Sequence, residues 1–404
     1  MARTEHINPE ILAWARETAG LSVVQAAEKL GLKDTAKASA AEKLLAMEAG
    51  ERGLGRGMLE KAAATYRRPL ITFYMAAPPS RGERGEDFRA SSGRASARDD
   101  GMLDALVRDV RARQQMVREV LLVEEEAEAL PFVGSSGVAQ DAKSVANAIR
   151  ATLGVTTASQ RQARDPAALF TVLRGAAERI GAYVLLLGDL GSHHSDIGED
   201  VFRGFALSDD IAPFVVINDN DAITARSFTL MHELAHVWIG ASGVSGPLRD
   251  VSKNVVERFC NDVAGEFLLP SGEIGDVQPT GGIGVEDALA LTADIARSWN
   301  VSQGVVAYRM VRNGWISDDV AAALFKAFAD RWRSEKLRAK DLREPEDRGP
   351  DYFTVRRSRL GPALLAVVRR GLQGDALTHT KAAKILGVSP SSVDALLRDR
   401  PRAA

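Results

Sequence analysis

From Leu230 to Gly240 the chain reads LMHELAHVWIG, and His232, Glu233 and His236 are the only ionisable side chains in that apolar run. Residues four apart on a helix share a face, so both imidazoles reach one ion. Burying three such groups is costly unless something pairs them, and a divalent cation does so. Glu233, beside the first histidine, stands where a base can take a proton from a water that the cation polarises. Any fold open to this chain must therefore bring at least one further ligand to that helix face.

The residues after His236 are VWIGAS, so no third histidine follows at short spacing. Cys260 is the only cysteine. That excludes a thiolate cluster and an internal disulfide framework, and leaves histidine and carboxylate as ligands. The best source is the helix expected over about 254–269, containing VERFCNDVAGEFLLP. Glu257 on its first turns is read as the third ligand, and Asn261, one turn later, as a residue that orients a ligand. The plain alternative is that Glu257 only decorates a helix start that favours acids. Glu266 lies nine residues further, on the opposite face, in line with Arg258 and Asp262, and is expected in a solvated, charge-paired stripe. His193, His194 and Tyr308 are candidates for stabilising a tetrahedral intermediate, against the plainer readings of solvated loop histidines and a packed tyrosine. PFVVIND (213–219) is a candidate edge for an extended peptide unless it proves central.

At 404 residues the chain is long enough for two or three domains, and with 45% hydrophobic and 26% charged residues it has an ordinary globular composition. No apolar stretch is long enough for a membrane span and the N-terminus lacks a signal-peptide core, so a cytoplasmic protein without a membrane partner is expected. A net charge of −2 gives no global footprint of a nucleic-acid binder. The fold class expected is α+β, mostly α. A helix-turn-helix bundle occupies 1–77, a linker 78–101, a zincin-like peptidase domain with a helical lead-in and a small sheet 102–334, a second charged linker 335–351, and a small helical module 352–404. Within the peptidase part, helices are expected over 102–130, 140–153, 165–181, 285–299 and 302–313, and strands over 182–190, 202–208 and 213–219.

These residues resemble a known family. PFVVINDNDAITARSFTLMHELAHVWIG and VVERFCNDVAGEFLLP are similar to the ImmA/IrrE metallopeptidases fused to an Xre-type helix-turn-helix. The N-terminal part resembles the same architecture at INPEILAWARETAGLSVVQAAEKLGL, LAMEAGERGLGRGMLEKAAATYRRPL and FYMAAPP followed by DFR, and the tail at DYFTVRRSRLGPALLAVVRRGL and AAKILGVS. The resemblance implies a zinc endopeptidase with one Zn2+ per chain, His232, His236 and Glu257 as ligands and Glu233 as general base. It further implies a cytoplasmic regulator whose protein substrate is a repressor or antitoxin-type regulator encoded nearby.

Two departures bear on the N-terminal part. The stretch KDTAKASAA is longer than the usual turn of a helix-turn-helix, and SAAEKLLAMEAG is poor in the Arg, Asn and Gln that read base edges. Charge over 1–100 is nearly balanced, 16 basic against 14 acidic. Double-stranded DNA is thus one expected partner, through Arg52, Arg56, Arg67 and Arg68, and a protein-binding or homodimerising role is the other. The rival function is a DNA-binding transcriptional regulator or antitoxin-like protein that keeps the peptidase fold as a sensing or partner-binding platform.

Overall fold

The computed structural model describes residues 7–78, 86–87, 96–191, 195–246, 254–274, 282–341 and 351–398. Four short helices come first, and local sequence writes their starts. Asn8 caps α1 (Pro9–Thr18), while capping boxes Ser22/Gln25 and Ser39/Glu42 open α2 (Val23–Lys29) and α3 (Ala40–Glu48). With α4 (Arg56–Thr65) they enclose a core of their own that includes Ile11, Leu12, Leu44, Leu59, Tyr66 and Phe73. The loop between α2 and α3 is long enough to form an internal bridge, Thr35 to Ala38.

A capping box at Ser96/Asp99 starts α5 (Ala97–Val123), a helix expected only from residue 102 and as far as 130. It stops early because Glu125 takes a left-handed backbone, φ 57°. Next come α6 (Ala142–Leu153), α7 (Thr157–Arg161) and α8 (Pro166–Arg179). A five-stranded sheet follows in the order β1-β5-β3-β4-β2, from β1 (Glu86–Asp87), β2 (Tyr183–Leu186), β3 (Gly204–Leu207), β4 (Phe214–Ile217) and β5 (Gly243–Ser245). The pairs β2–β4 and β1–β5 run parallel, and β3 is antiparallel to both β4 and β5. The strand PFVVIND is therefore β4, paired on both sides, and it offers no edge to a peptide. That corrects the expectation for 213–219.

Strand alternation sends side chains to two faces. Val184, Leu186, Ala206, Val215 and Ile217 face the core that holds α9 (Arg226–Trp238), α10 (Val255–Leu268), α12 (Val285–Trp299) and α13 (Gln303–Arg312). Between α10 and α12 lies the single turn α11 (Ser271–Ile274). After α13, α14 runs over Asp318–Asp341, into the stretch 335–351 expected as a linker.

On the other sheet face, Tyr183, Leu185, Phe205, Phe214 and Val216 meet α5 and the C-terminal helices α15 (Tyr352–Leu360), α16 (Pro362–Gln373), α17 (His379–Leu386) and α18 (Val393–Leu397). Gln114 of α5 donates to the carbonyls of Leu207 and Ala212, and Arg118 pairs with Asp209 and Asp210, so α5 grips the β3–β4 turn. Among the described residues no helix is long and apolar enough to cross a membrane.

Candidate metal centre

Helix α9 is buried from Ser227 to Trp238, because Leu230, Met231, Leu234, Ala235, Val237 and Trp238 pack inward around its whole circumference. Its three ionisable groups in that stretch go with it: His232 is 4% exposed, Glu233 and His236 0%. The partner helix α10 begins at Asn254, whose side chain accepts from the amides of Val256 and Glu257. That cap fixes the first turn, and Glu257 points into the interior, 4% exposed.

The two helices bring the ligand atoms together. His236 Nε2 lies 3.1 Å from His232 Nε2 and 2.9 Å from Glu257 Oε1, and His232 Nε2 is 3.4 Å from Glu257 Oε2. A tetrahedral zinc with bonds of about 2.0–2.1 Å holds its ligand atoms roughly 3.3 Å apart. The set therefore fits a cation of that size. Asn261, one turn beyond Glu257 and 6% exposed, is within hydrogen-bonding reach of His232, in the orienting place expected for it.

The charges respond to this crowding. Burial works against an ionised Glu257, but His232 beside it outweighs burial and holds the carboxyl down to about 2. Burial likewise opposes a charged His232, and Glu257 reverses that and raises it, whereas burial wins at His236 and lowers it. Glu233 is the odd member. Burial, with Glu257 adding to it, pushes its carboxyl up to about 8 against the pull of His232, and neither oxygen accepts a well-formed hydrogen bond. A buried carboxyl next to a ligand set, and outside it, has the protonation range of a general base.

Two contributors were not foreseen. Ser245 of β5, 3% exposed, places Oγ 3.1 Å from His232 Nε2. Nothing in GASGVSGP marks that serine, since its place comes from strand pairing. Gly204 of β3 lies against Glu233: a methyl group there would stand 2.7 Å from Glu233 Oε1 and 2.7 Å from Thr229 Cγ2. Its signal was present, a lone glycine inside the strand pattern FRGFALS, which implies close approach of another group.

The remaining candidates lie elsewhere. Tyr308 is 1% exposed and its hydroxyl donates to Asp262 at 2.7 Å, with burial and then Asp262 pushing its pKa well above the phenol value. Asp262 also holds Arg312 at 2.7 Å, so the tyrosine belongs to an ion-pair cluster on α10 and α13. His193 and His194 lie outside the described residues. Glu266 is not solvated: it is 7% exposed, paired with Arg309 and bonded to Ser271 at 2.9 Å. In the N-terminal bundle Arg52, Arg56 and Arg67 are exposed, with Arg56 paired to Glu60 at 3.0 Å. Arg68 is not a surface cation. Its guanidinium sits 4.1 Å over the Trp14 ring and donates to Thr18 Oγ1 at 2.8 Å, and burial brings it down to about 10.

Comparison with known families finds one that matches part of the chain. Residues 191–311 match the IrrE N-terminal-like domain, Peptidase_M78. The matched IrrE-like segment holds β3, β4, β5, both ligand helices and most of α13, and it supports a metallopeptidase-like fold with a zinc-associated site at His232, His236 and Glu257. No curated protein and no solved structure matches the chain.

Proposed function

We propose that the chain is a regulatory zinc endopeptidase that hydrolyses a peptide bond in a protein substrate, of the repressor or antitoxin-type regulator class. One observation carries this reading: three buried ligand groups converge to within 4.8 Å of one another, with the unbonded carboxyl of Glu233 beside them. His232 and His236 hold the zinc with Glu257. A bound zinc supplies Lewis acidity and an acidified water at neutral pH. With zinc held there, Glu233 would be the residue that accepts a proton from the attacking water and passes it to the leaving amine. Gly204 sets the position of Glu233, and Asn261 orients His232.

The test joins metal content to cleavage. Purified protein should carry close to one zinc per chain, and Glu233→Gln should keep the zinc while abolishing processing of regulators encoded nearby. A chain that takes up no zinc, even when reloaded, refutes the peptidase reading, and a Glu233→Gln variant that cleaves at the wild-type rate removes Glu233 as base.

For the N-terminal bundle, a helix-turn-helix role at double-stranded DNA remains part of the proposal. The outward face of α3 favours protein contact instead, because it presents a Leu45 that is 49% exposed beside a Glu42 whose carboxylate is engaged by Ser39.

A further inference from the structure

Helix α14 buries Ala321 and Leu324 in the core and turns a second apolar stripe, Phe325, Phe328 and Trp332, toward a different neighbour. Spacings of three and four residues put these rings on one face. Phe325 and Phe328 meet edge to face with centroids 6.4 Å apart, and Trp332 Nε1 donates to Glu199 at 3.1 Å. All three stay half-buried because the space before them is a cavity of about 440 Å³. Across it stand Ala225, the residue before α9, and the pair Arg203 and Asp221. The pair is 3.6 Å apart, and neither Arg203 Nε nor Asp221 Oδ2 makes a hydrogen bond.

The cavity shares its supporting elements with the metal centre, since Arg203 leads into the strand and Ala225 into the helix that carry it. Arg203 N donates to Ser245 O at 3.1 Å, and Ser245 Oγ is the group 3.1 Å from His232. The residue after Arg203 is Gly204, against which Glu233 lies. Along α9, the seven residues from Ala225 to His232 span roughly 10 Å at 1.5 Å each. An extended peptide covers that distance in about three residues. The aromatic wall belongs to α14, which lies beyond the matched segment 191–311.

We propose that this cavity is the specificity pocket of the proposed peptidase, and that it receives a large apolar or aromatic side chain of the protein substrate within three positions of the bond that is cut. It rests on the peptidase reading for its substrate class. The volume exceeds that of any one side chain, three rings supply the apolar wall, and the Arg203–Asp221 pair closes the side facing the sheet.

The experiment uses full-length, zinc-loaded protein. A randomised linear peptide library is panned over immobilised Glu233→Gln protein, and again over Glu233→Gln carrying Ala329→Trp, which fills the cavity, or Phe328→Ala, which strips its wall. Zinc content and circular dichroism report that each variant is folded. The expected result is enrichment of peptides with Phe, Tyr, Trp, Leu or Met at one position, falling at least tenfold in both variants. Absence of enrichment, or enrichment that neither substitution changes, overturns the pocket. The same library is then digested with the chain carrying Glu233. Cleavage without side-chain preference leaves the peptidase reading standing and removes the pocket, whereas selective binding without cleavage does the reverse.

Discussion

Glu257 and Glu266 are nine residues apart on one helix, and each is buried against a different positive partner. Glu257 faces two imidazoles, while Glu266 faces Arg309 and Ser271 on the other side of α10. Glu257→Ala should therefore lower zinc affinity by orders of magnitude, as read by competition with a chelator. Glu266→Ala should leave zinc affinity unchanged and destabilise the fold by about 3–5 kcal/mol, because it strands a buried guanidinium. A reversed order in the chelator titration would mean that the ligand has been assigned to the wrong face. That the two carboxylates lie on opposite faces was legible in the sequence from helical periodicity, and the neighbours on each face pointed to Glu257. The surroundings of Glu266 were not, because Arg309 arrives from a helix more than forty residues away and turns a stripe that looks solvated into a buried ion pair. Ser245 was hidden for the same reason: a strand register decides its neighbour, and no local pattern encodes that register.

Between elements, a close backbone approach joins the N-terminal bundle to α5. A methyl group at Gly20, where φ is +66°, would stand 2.0 Å from the Ala97 carbonyl oxygen, and one at Gly101 would stand 2.6 Å from the Ala19 carbonyl carbon. Both obstacles are backbone, which cannot rotate away. Gly101→Ala removes a glycine from a helix interior and gains up to about 1 kcal/mol of propensity. The contact outweighs that gain, so this variant should weaken hydrogen-exchange protection over α1 and α2 and lower the Tm. A higher Tm with unchanged exchange would show that the two units simply move apart. The elements themselves were largely readable: α8, α12 and α13 lie within two residues of the ranges expected for them, because apolar spacing and end caps are local signals. The start of α5 was missed although Ser96 and Asp99 spell a capping box, since the charged Gly/Ser stretch before it reads as linker throughout. Strands β1 and β5, two and three residues long, carry too little pattern to be seen at all.

For the whole molecule, the decisive question is whether the C-terminal helices form a unit of their own, as the charged stretch 335–351 suggests, or a wall of the peptidase domain. Leu360, Leu364, Val367, Val368, Leu377, Ile385 and Leu386 are buried in one core with Phe205, Phe214 and Val216 of the sheet. Polar ties run the same way. Arg359 of α15 bridges Asp189 at 2.7 Å and Asp219 at 2.6 Å, and Arg174 of α8 donates to the carbonyl of Ser358. Asp219 lies in the turn that precedes α9, and its carbonyl also receives Arg226 of that helix at 2.8 Å, so the tail steadies the segment from which the metal-binding helix starts. Burying one such apolar side chain contributes about 1.5–3 kcal/mol, and whole domains are stable by only about 5–15 kcal/mol. Removing residues 351–404 uncovers the sheet face as well as deleting the tail's own side chains, so the loss is at least comparable to that margin. The truncated chain should bind a hydrophobic dye, lose its cooperative thermal transition and take up no zinc, whereas Arg359→Ala should fold, keep its zinc and melt at a lower temperature. A soluble truncation with the full-length Tm and one zinc per chain would show that the sheet does not need this cover, and that 352–404 is the separate module its sequence implies.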